Sequence, residues 1–188
     1  RDGNAWKFVT SKPQVVSLSP SPENNFPLNP EIKLTFNQPM DTKSVEANFQ
    51  LSGTAGSVTG AFEWNDDDSE LTFTPENLLE RNVGHILNVG AAAKSRGGVP
   101  LGNAYGAVLT TYDNFAVTAA TANYGSTSFT FSAPLAKEKY EDFINIAPTV
   151  DNSSAFVSED GLELSIYGNF APDTNYAIEL AAKLKDQW

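Results

Sequence analysis

The chain has 188 residues, 40% of them hydrophobic, with a formal net charge of −11 and a pI near 4.4. Such a chain is globular, is long enough for one large domain or two of about 100 residues, and carries a field that repels phosphate backbones, which argues against nucleic-acid partners. It has no cysteine, which excludes disulfides, thiolate metal sites and a cysteine nucleophile, and no apolar run near the ~20 residues of a membrane-spanning helix.

Residues 1–11 open abruptly on the polar run "RDGNAWKF", with no signal peptide. They read as a linker or leading segment, and the chain reads as a piece of something longer. The turn cluster "SPSPENNFPLNP" then leads into "EIKLTF". There Ile32, Leu34 and Phe36 fall on one face and Glu31, Lys33 and Thr35 on the other, the period of a half-buried strand. "MDTKSVEAN" reads as one or two helical turns, with Asp41 as the N-cap. The strand "FEW" is followed by the turn "NDDDS" and the strand "SELTFTP", in which Leu71 and Phe73 alternate with threonines. A strand through His85 and Leu87 comes next, and "RGGVPLGNAYGAVLTTY" reads as the closing strand of a first domain at 12–112.

The boundary "LTTYDNFAVTAATA" has no Gly/Ser/Pro-rich linker. The last strand of the first domain is expected to run directly into the first strand of the second, as a limited hinge. The second domain, 113–188, carries alternating runs at Phe129/Phe131, Leu162/Leu164/Ile166 and Tyr176/Ile178/Leu180. Its one short helical stretch is "LAKEKYED", and its turn is "SEDG".

The second domain repeats the first. Phe36 aligns with Phe131 and Pro39 with Pro134 at an offset of 95, and Phe49 meets Phe143 after a one-residue deletion. Leu71 aligns with Leu162 and His85 with Tyr176 at an offset of 91. Two diverged copies of one strand-rich unit make an all-β chain of two tandem immunoglobulin-like β-sandwiches. The second copy stops at "LKDQW", with nothing matching the closing strand of the first. That strand lies further along or is donated from elsewhere, and an open edge there invites swapping.

Candidate chemistry is sparse. His85 is the only histidine, so a Ser-His-Asp triad must use it. Its counterpart is Tyr176, in the place of the tyrosine corner of Ig-like sandwiches, and a structural role is the simpler reading. Asp66, Asp67 and Asp68 form the densest acidic stretch. Hard cations want oxygen clusters of this kind. The stretch lacks EF-hand spacing and falls where a hairpin turn is expected, so the turn is favoured and a weak calcium site is the alternative. "GAAAKS" departs from a phosphate-binding loop at Ala93 and reads as a strand exit. Asn152 begins an N-glycosylation pattern. Phe62, Trp64, Tyr124 and Tyr140 are candidates for a sugar platform, with core packing favoured for Phe62 and Trp64. No paired carboxylates stand out. The chain is expected to be no enzyme and to need no cofactor.

The first copy, in "VVSLSPSPENNFPLNPEIKLTFNQPMD", "SVEANFQLSG", "VTGAFEWNDDDSELTFTP" and "LLERNVGHILNVGAAAKSRGGVPL", resembles bacterial Ig-like domains. The second, from Phe129 to Trp188, looks like an early macroglobulin-like domain of bacterial alpha-2-macroglobulins. The resemblance implies an envelope-associated, broad-spectrum protease trap, in which a cut bait region triggers collapse around the protease. These domains would then be non-catalytic scaffold and spacer near its N-terminus. Their partners would be other domains of the parent chain, and proteases through the full-length protein. The location would be extracellular or in the cell envelope, periplasmic or surface-anchored, with any membrane attachment outside this segment. The same domain type also occurs as a spacer or adhesion module of surface-layer and cell-wall proteins, and more weakly as a carbohydrate-binding accessory to a glycosidase. The residues expected to matter are structural: Phe36, Phe73, His85 and Leu87 in one core, and Phe131, Leu164, Tyr176 and Ile178 in the other.

Overall fold

A computed structural model describes residues 11–23, 25–137 and 139–188, so residues 1–10 of the leading segment lie outside it. The chain divides into two compact units, the first ending at Thr111 and the second running from Tyr112 to Trp188.

The first unit is a β-sandwich of two antiparallel sheets. One has the order β1–β2–β6–β5, made of β1 (Val15–Ser19), β2 (Ile32–Phe36), β6 (Glu70–Pro75) and β5 (Gly60–Trp64). The other is β4–β3–β7–β8, made of β4 (Gly56–Ser57), β3 (Phe49–Gly53), β7 (Gly84–Val89) and β8 (Tyr105–Thr110). Alternation aims Ile32, Leu34, Phe36, Leu71 and Phe73 from the first sheet at Leu51, Leu87, Val89 and Leu109 from the second, in one buried cluster. Burial of each such side chain stabilises by about 1.5–3 kcal/mol. The helix α1 (Thr42–Glu46) is one turn, and the Asp41 carboxylate caps it by accepting the Ser44 N–H at 3.1 Å.

The second unit has the order β12–β13–β10–β9, made of β12 (Ser154–Val157), β13 (Glu163–Tyr167), β10 (Ser126–Phe131) and β9 (Val117–Asn123). Its other sheet pairs β11 (Ile144–Ala147) with β14 (Ala177–Leu180). A 3₁₀ turn, Tyr140–Phe143, replaces the expected helix. Phe131, Leu135, Leu164 and Leu184 form its buried cluster. Together the multiple antiparallel sheets give the expected all-β architecture of tandem Ig-like sandwiches.

Backbone hydrogen bonds define the repeat residue by residue. Phe36 N–H bonds Ser69 O at 2.8 Å, and Phe131 N–H bonds Leu162 O at 2.8 Å. Asp41 N–H bonds Lys94 O at 3.0 Å, and Ala136 N–H bonds Lys185 O at 3.0 Å. The polar residue after each Phe makes the same clamp. Asn37 Oδ1 accepts the Gln14 N–H at 3.0 Å and its amide donates to Lys12 O at 2.9 Å. Ser132 Oγ accepts the Ala116 N–H at 2.9 Å and donates to Asn114 O at 2.6 Å.

These registers correct three expectations. Leu34 pairs with Leu71, and Phe129 pairs with Leu164, so the counterpart of Leu71 is Leu164. Leu162 is in the preceding turn. Phe49 faces Val89 while Ile144 faces Leu180, and Gly90 N–H bonds Asn48 O as Ala181 N–H bonds Phe143 O, both at 2.8 Å. Ile144 therefore holds the place of Phe49, and Phe143 that of Asn48. Finally, β8 ends at Thr110 and β9 starts at Val117, so the two strands are not continuous. Asn114 and Phe115 form a bend between them.

Candidate functional site

The acidic turn is a folding device present in both units. Asp68 N–H bonds Asn65 O at 3.1 Å, as Gly161 N–H bonds Ser158 O at 2.9 Å. Asn65 Oδ1 accepts the N–H groups of Ser69 and Glu70, both at 2.9 Å. Ser158 Oγ does the same for Glu163 at 2.9 Å. Asp67 accepts the Ser69 hydroxyl at 2.8 Å, and Asp160 accepts the Ser158 hydroxyl at 2.5 Å and the Leu162 N–H at 3.0 Å. These bonds favour the ionised carboxylates. The Ser69 side chain holds Asp67 below the ordinary carboxylate value, and the Ser158 side chain does so for Asp160.

Asp68 forms an ion pair with Arg96. Among the described residues no three acidic, histidine or cysteine side chains converge on a point that would hold a metal. The calcium candidates Asp66, Asp67 and Asp68 thus do not converge into a chelating cluster.

His85 projects inward from β7 and is 1% exposed. Its Nδ1 lies 3.1 Å from the Val83 carbonyl, to which it donates. The far edge of the ring lies over Gly53, where a Cβ would meet Cδ2 at 2.9 Å and Nε2 at 3.0 Å. Around it, Thr111 Oγ1 donates to Glu80 O at 2.5 Å and accepts the Val83 N–H at 3.2 Å. The Thr54 hydroxyl donates to the Glu80 carboxylate. This set ties the β6–β7 connection to the end of β8, a task that sequence spacing did not show because Thr111 and Glu80 carry no motif.

In the second unit Tyr176 accepts the Ala171 N–H at 2.9 Å through its hydroxyl, and stacks edge-on with Phe170 at 5.1 Å. The longer phenol reaches five residues back, while imidazole reaches two. Tyr176 and Ile178, expected in the second core, are half-buried and lie outside its buried cluster. Phe36, Phe73, Leu87, Phe131 and Leu164 are buried.

Three of the four aromatics proposed for a platform are engaged within their own units. Phe62 packs edge-on to Phe49 at 5.3 Å, and Trp64 stacks on Phe36 at 6.0 Å while donating to Glu46 at 3.0 Å. Tyr140 belongs to the second unit and donates to Ala136 O at 2.9 Å. Tyr124 stands at a hairpin tip, 96% exposed. Ala93 of "GAAAKS" is buried in the turn after β7, and Asn152 occupies an exposed turn at φ 52°.

Comparison with curated proteins returned no match. Among solved structures, the chain is similar to a crystal structure of native alpha-2-macroglobulin from Escherichia coli, at 18% identity and a TM-score of 0.43, covering 72% of this chain and 44% of that one. It is also similar to a cryo-EM reconstruction of the same E. coli protein, at 15% identity and a TM-score of 0.43, covering 90% of this chain and 12% of that one. L,D-transpeptidase 3 from Mycobacterium tuberculosis is similar at 16% identity and a TM-score of 0.36, covering 79% of this chain and 55% of that one. The chain spans less than half the length of the macroglobulin chains it matches. Residues 9–113, more than half of the sequence, match the bacterial Ig-like domain, and the chain belongs to that family.

Proposed function

We propose that the chain is a non-catalytic scaffold and spacer from the N-terminal region of a bacterial alpha-2-macroglobulin-like protease trap. The observation that supports a structural over a catalytic role is the residue-by-residue repeat of the hydrogen-bond pattern. Side chains with chemical potential in one unit hold the places of inert ones in the other: His85 that of Tyr176, and Asp68 that of Gly161. Each is used locally, by a backbone carbonyl, a ring contact or a turn.

Support for the parent is the sequence order itself, a bacterial Ig-like domain followed by Phe129 to Trp188 with its macroglobulin-like pattern. In such a parent the units contact neighbouring domains of the same chain, and proteases are met only by the full-length protein. Bacterial Ig-like domains typically occur in cell-envelope or surface proteins, which agrees with an envelope location. The family match by itself equally favours a second reading, a spacer or adhesion module of a surface-layer or cell-wall protein.

The experiment compares the full-length parent with the 188-residue chain, each incubated with a protease. Cleavage of a large protein substrate and of a small peptide substrate is then followed. The parent is expected to protect the large substrate and spare hydrolysis of the small one, while the chain alone does neither and hydrolyses nothing. A parent without effect on either substrate overturns the trap and leaves the surface spacer. Hydrolysis by the 188-residue chain overturns the non-catalytic reading.

A further inference from the structure

One ring nitrogen of His85 is not used by the fold of the first unit. Nδ1 donates to the Val83 carbonyl at 3.1 Å, so in the neutral ring the lone pair is on Nε2. Among the described residues no hydrogen bond reaches Nε2, although the side chain is 1% exposed. Its edge lies over Gly53, and both border a cavity of about 190 Å³ that Ser57, Thr59, Asn77 and Glu80 also line. In the second unit the counterpart atom is occupied, because the Tyr176 hydroxyl accepts the Ala171 N–H.

A second donor meets Nε2 in that cavity. A Cβ placed on Gly53 would lie 3.0 Å from Nε2 and 3.7 Å from Glu80 Oε2. The imidazole and the carboxylate therefore look onto one spot, and the absence of a side chain at Gly53 keeps it open. Each donor also has an outer partner. Val83 O holds the imidazole from behind, and the Thr54 hydroxyl donates to the Glu80 carboxylate. Histidines that bind metals characteristically donate their other N–H to a carbonyl or carboxylate, and carboxylates that bind metals are hydrogen-bonded in turn. Glu80 is exposed, so its carboxylate is free to turn toward the distance a metal requires, about 2.0–2.2 Å from each donor. No lysine or arginine lines the cavity, and its single carboxylate favours a cation.

We propose that His85 Nε2 and Glu80 are the protein donors of a site for a borderline divalent ion, of which zinc is the representative. Imidazole suits zinc, copper and nickel, whereas calcium and magnesium take oxygen donors. The site has two side-chain donors and water in its remaining positions, so the ion is held weakly and exchanges. The proposal is independent of whether the parent traps proteases.

The test titrates the 188-residue chain with zinc chloride and follows the imidazole nitrogens by NMR. His85 is the only histidine, so both ring nitrogens are assigned without ambiguity. The Nε2 signal is expected to move and to saturate at one ion per chain, while Nδ1 stays protonated against Val83 O. Glu80→Gln keeps the backbone carbonyl that Thr111 holds, and its amide spectrum checks its fold. This variant is expected to weaken zinc binding by about tenfold or more. An Nε2 signal indifferent to millimolar zinc overturns the site. Equal affinity in Glu80→Gln reduces the effect to an adventitious ion on the imidazole and overturns the donor pair. An equal response to calcium overturns the assignment to a borderline ion.

Discussion

Asp68 and Gly161 hold one position in the two units. Both lie in the left-handed region, at φ 59° and 75°, and the carbonyl of each accepts the N–H of the residue that follows the repeated proline, Met40 after Pro39 at 2.8 Å and Leu135 after Pro134 at 2.9 Å. Glycine adopts this conformation without penalty, and aspartate is among the few other residues that tolerate it.

Gly161→Ala is expected to destabilise the second unit by about 1–2 kcal/mol. A Cβ there meets the left-handed penalty and also approaches Pro134 Cβ at 3.0 Å, a ring atom that cannot swing away. Asp68→Gly relieves the backbone but gives up the exposed pair with Arg96, worth about 0–1 kcal/mol, so its net effect is expected to stay below about 1 kcal/mol. Denaturant unfolding followed on amide signals of each unit separates the two variants. A Gly161→Ala chain as stable as the parent sequence would refute the shared turn geometry.

The acidic turn gives a second expectation. Because Asp67 already accepts from Ser69 and Asp68 pairs with Arg96, millimolar calcium is expected to leave the unfolding temperature of the first unit unchanged. A ligand that binds only the folded state raises that temperature. A rise that vanishes in Asp67→Asn would restore the metal reading.

His85, Gly53 and Tyr176 make a third. His85→Ala opens space under β3 and removes the bond to Val83 O, at an expected cost of about 2–4 kcal/mol. Gly53→Ala forces a methyl against a ring that is 1% exposed, and about 1–3 kcal/mol is expected for such overpacking. Tyr176→Ala removes a half-buried ring, its edge contact with Phe170 and the bond from Ala171, for about 1–3 kcal/mol. Thermal unfolding of the three variants checks this. A Tyr176→Ala chain that melts like the original removes the corner assignment.

The fold was legible in the sequence because period-two alternation at Ile32–Phe36 and Leu71–Phe73 is imposed directly by a one-sided core. Phe36 and Phe131 are each followed at the same spacing by a proline, Pro39 and Pro134, so that stretch keeps one offset. The offset drifts across each longer loop, and sequence alone misplaced Leu71 against Leu162 and Phe49 against Phe143. The ladder partners fix those registers, Leu34 and Phe129 for the first and Val89 and Leu180 for the second. The half-burial of Tyr176 and Ile178 was not legible either, since their alternation matches His85 and Leu87. What differs is the neighbouring strand, which in the first unit is β8. The Glu80–Thr111 tie escaped notice because it joins residues distant in sequence through a backbone carbonyl.

Tyr112 supplies the last expectation. Its ring stacks on Trp188 at 5.5 Å. Burial raises its pKa above the ordinary value of 10.0, and the nearby Asp160 charge adds to the rise. The folded state therefore holds the phenol proton more tightly than the unfolded chain does. The stability linked to this group is intact below pH 10 and is lost as pH rises from there through the folded-state value. The difference in phenolate absorbance between the chain and Tyr112→Phe is expected to show a midpoint above 10. Asp160→Asn keeps an acceptor for the Leu162 N–H while removing the charge, so it is expected to move that midpoint back toward 10, leaving the part due to burial. A midpoint indifferent to Asp160→Asn would mean that burial alone sets the shift.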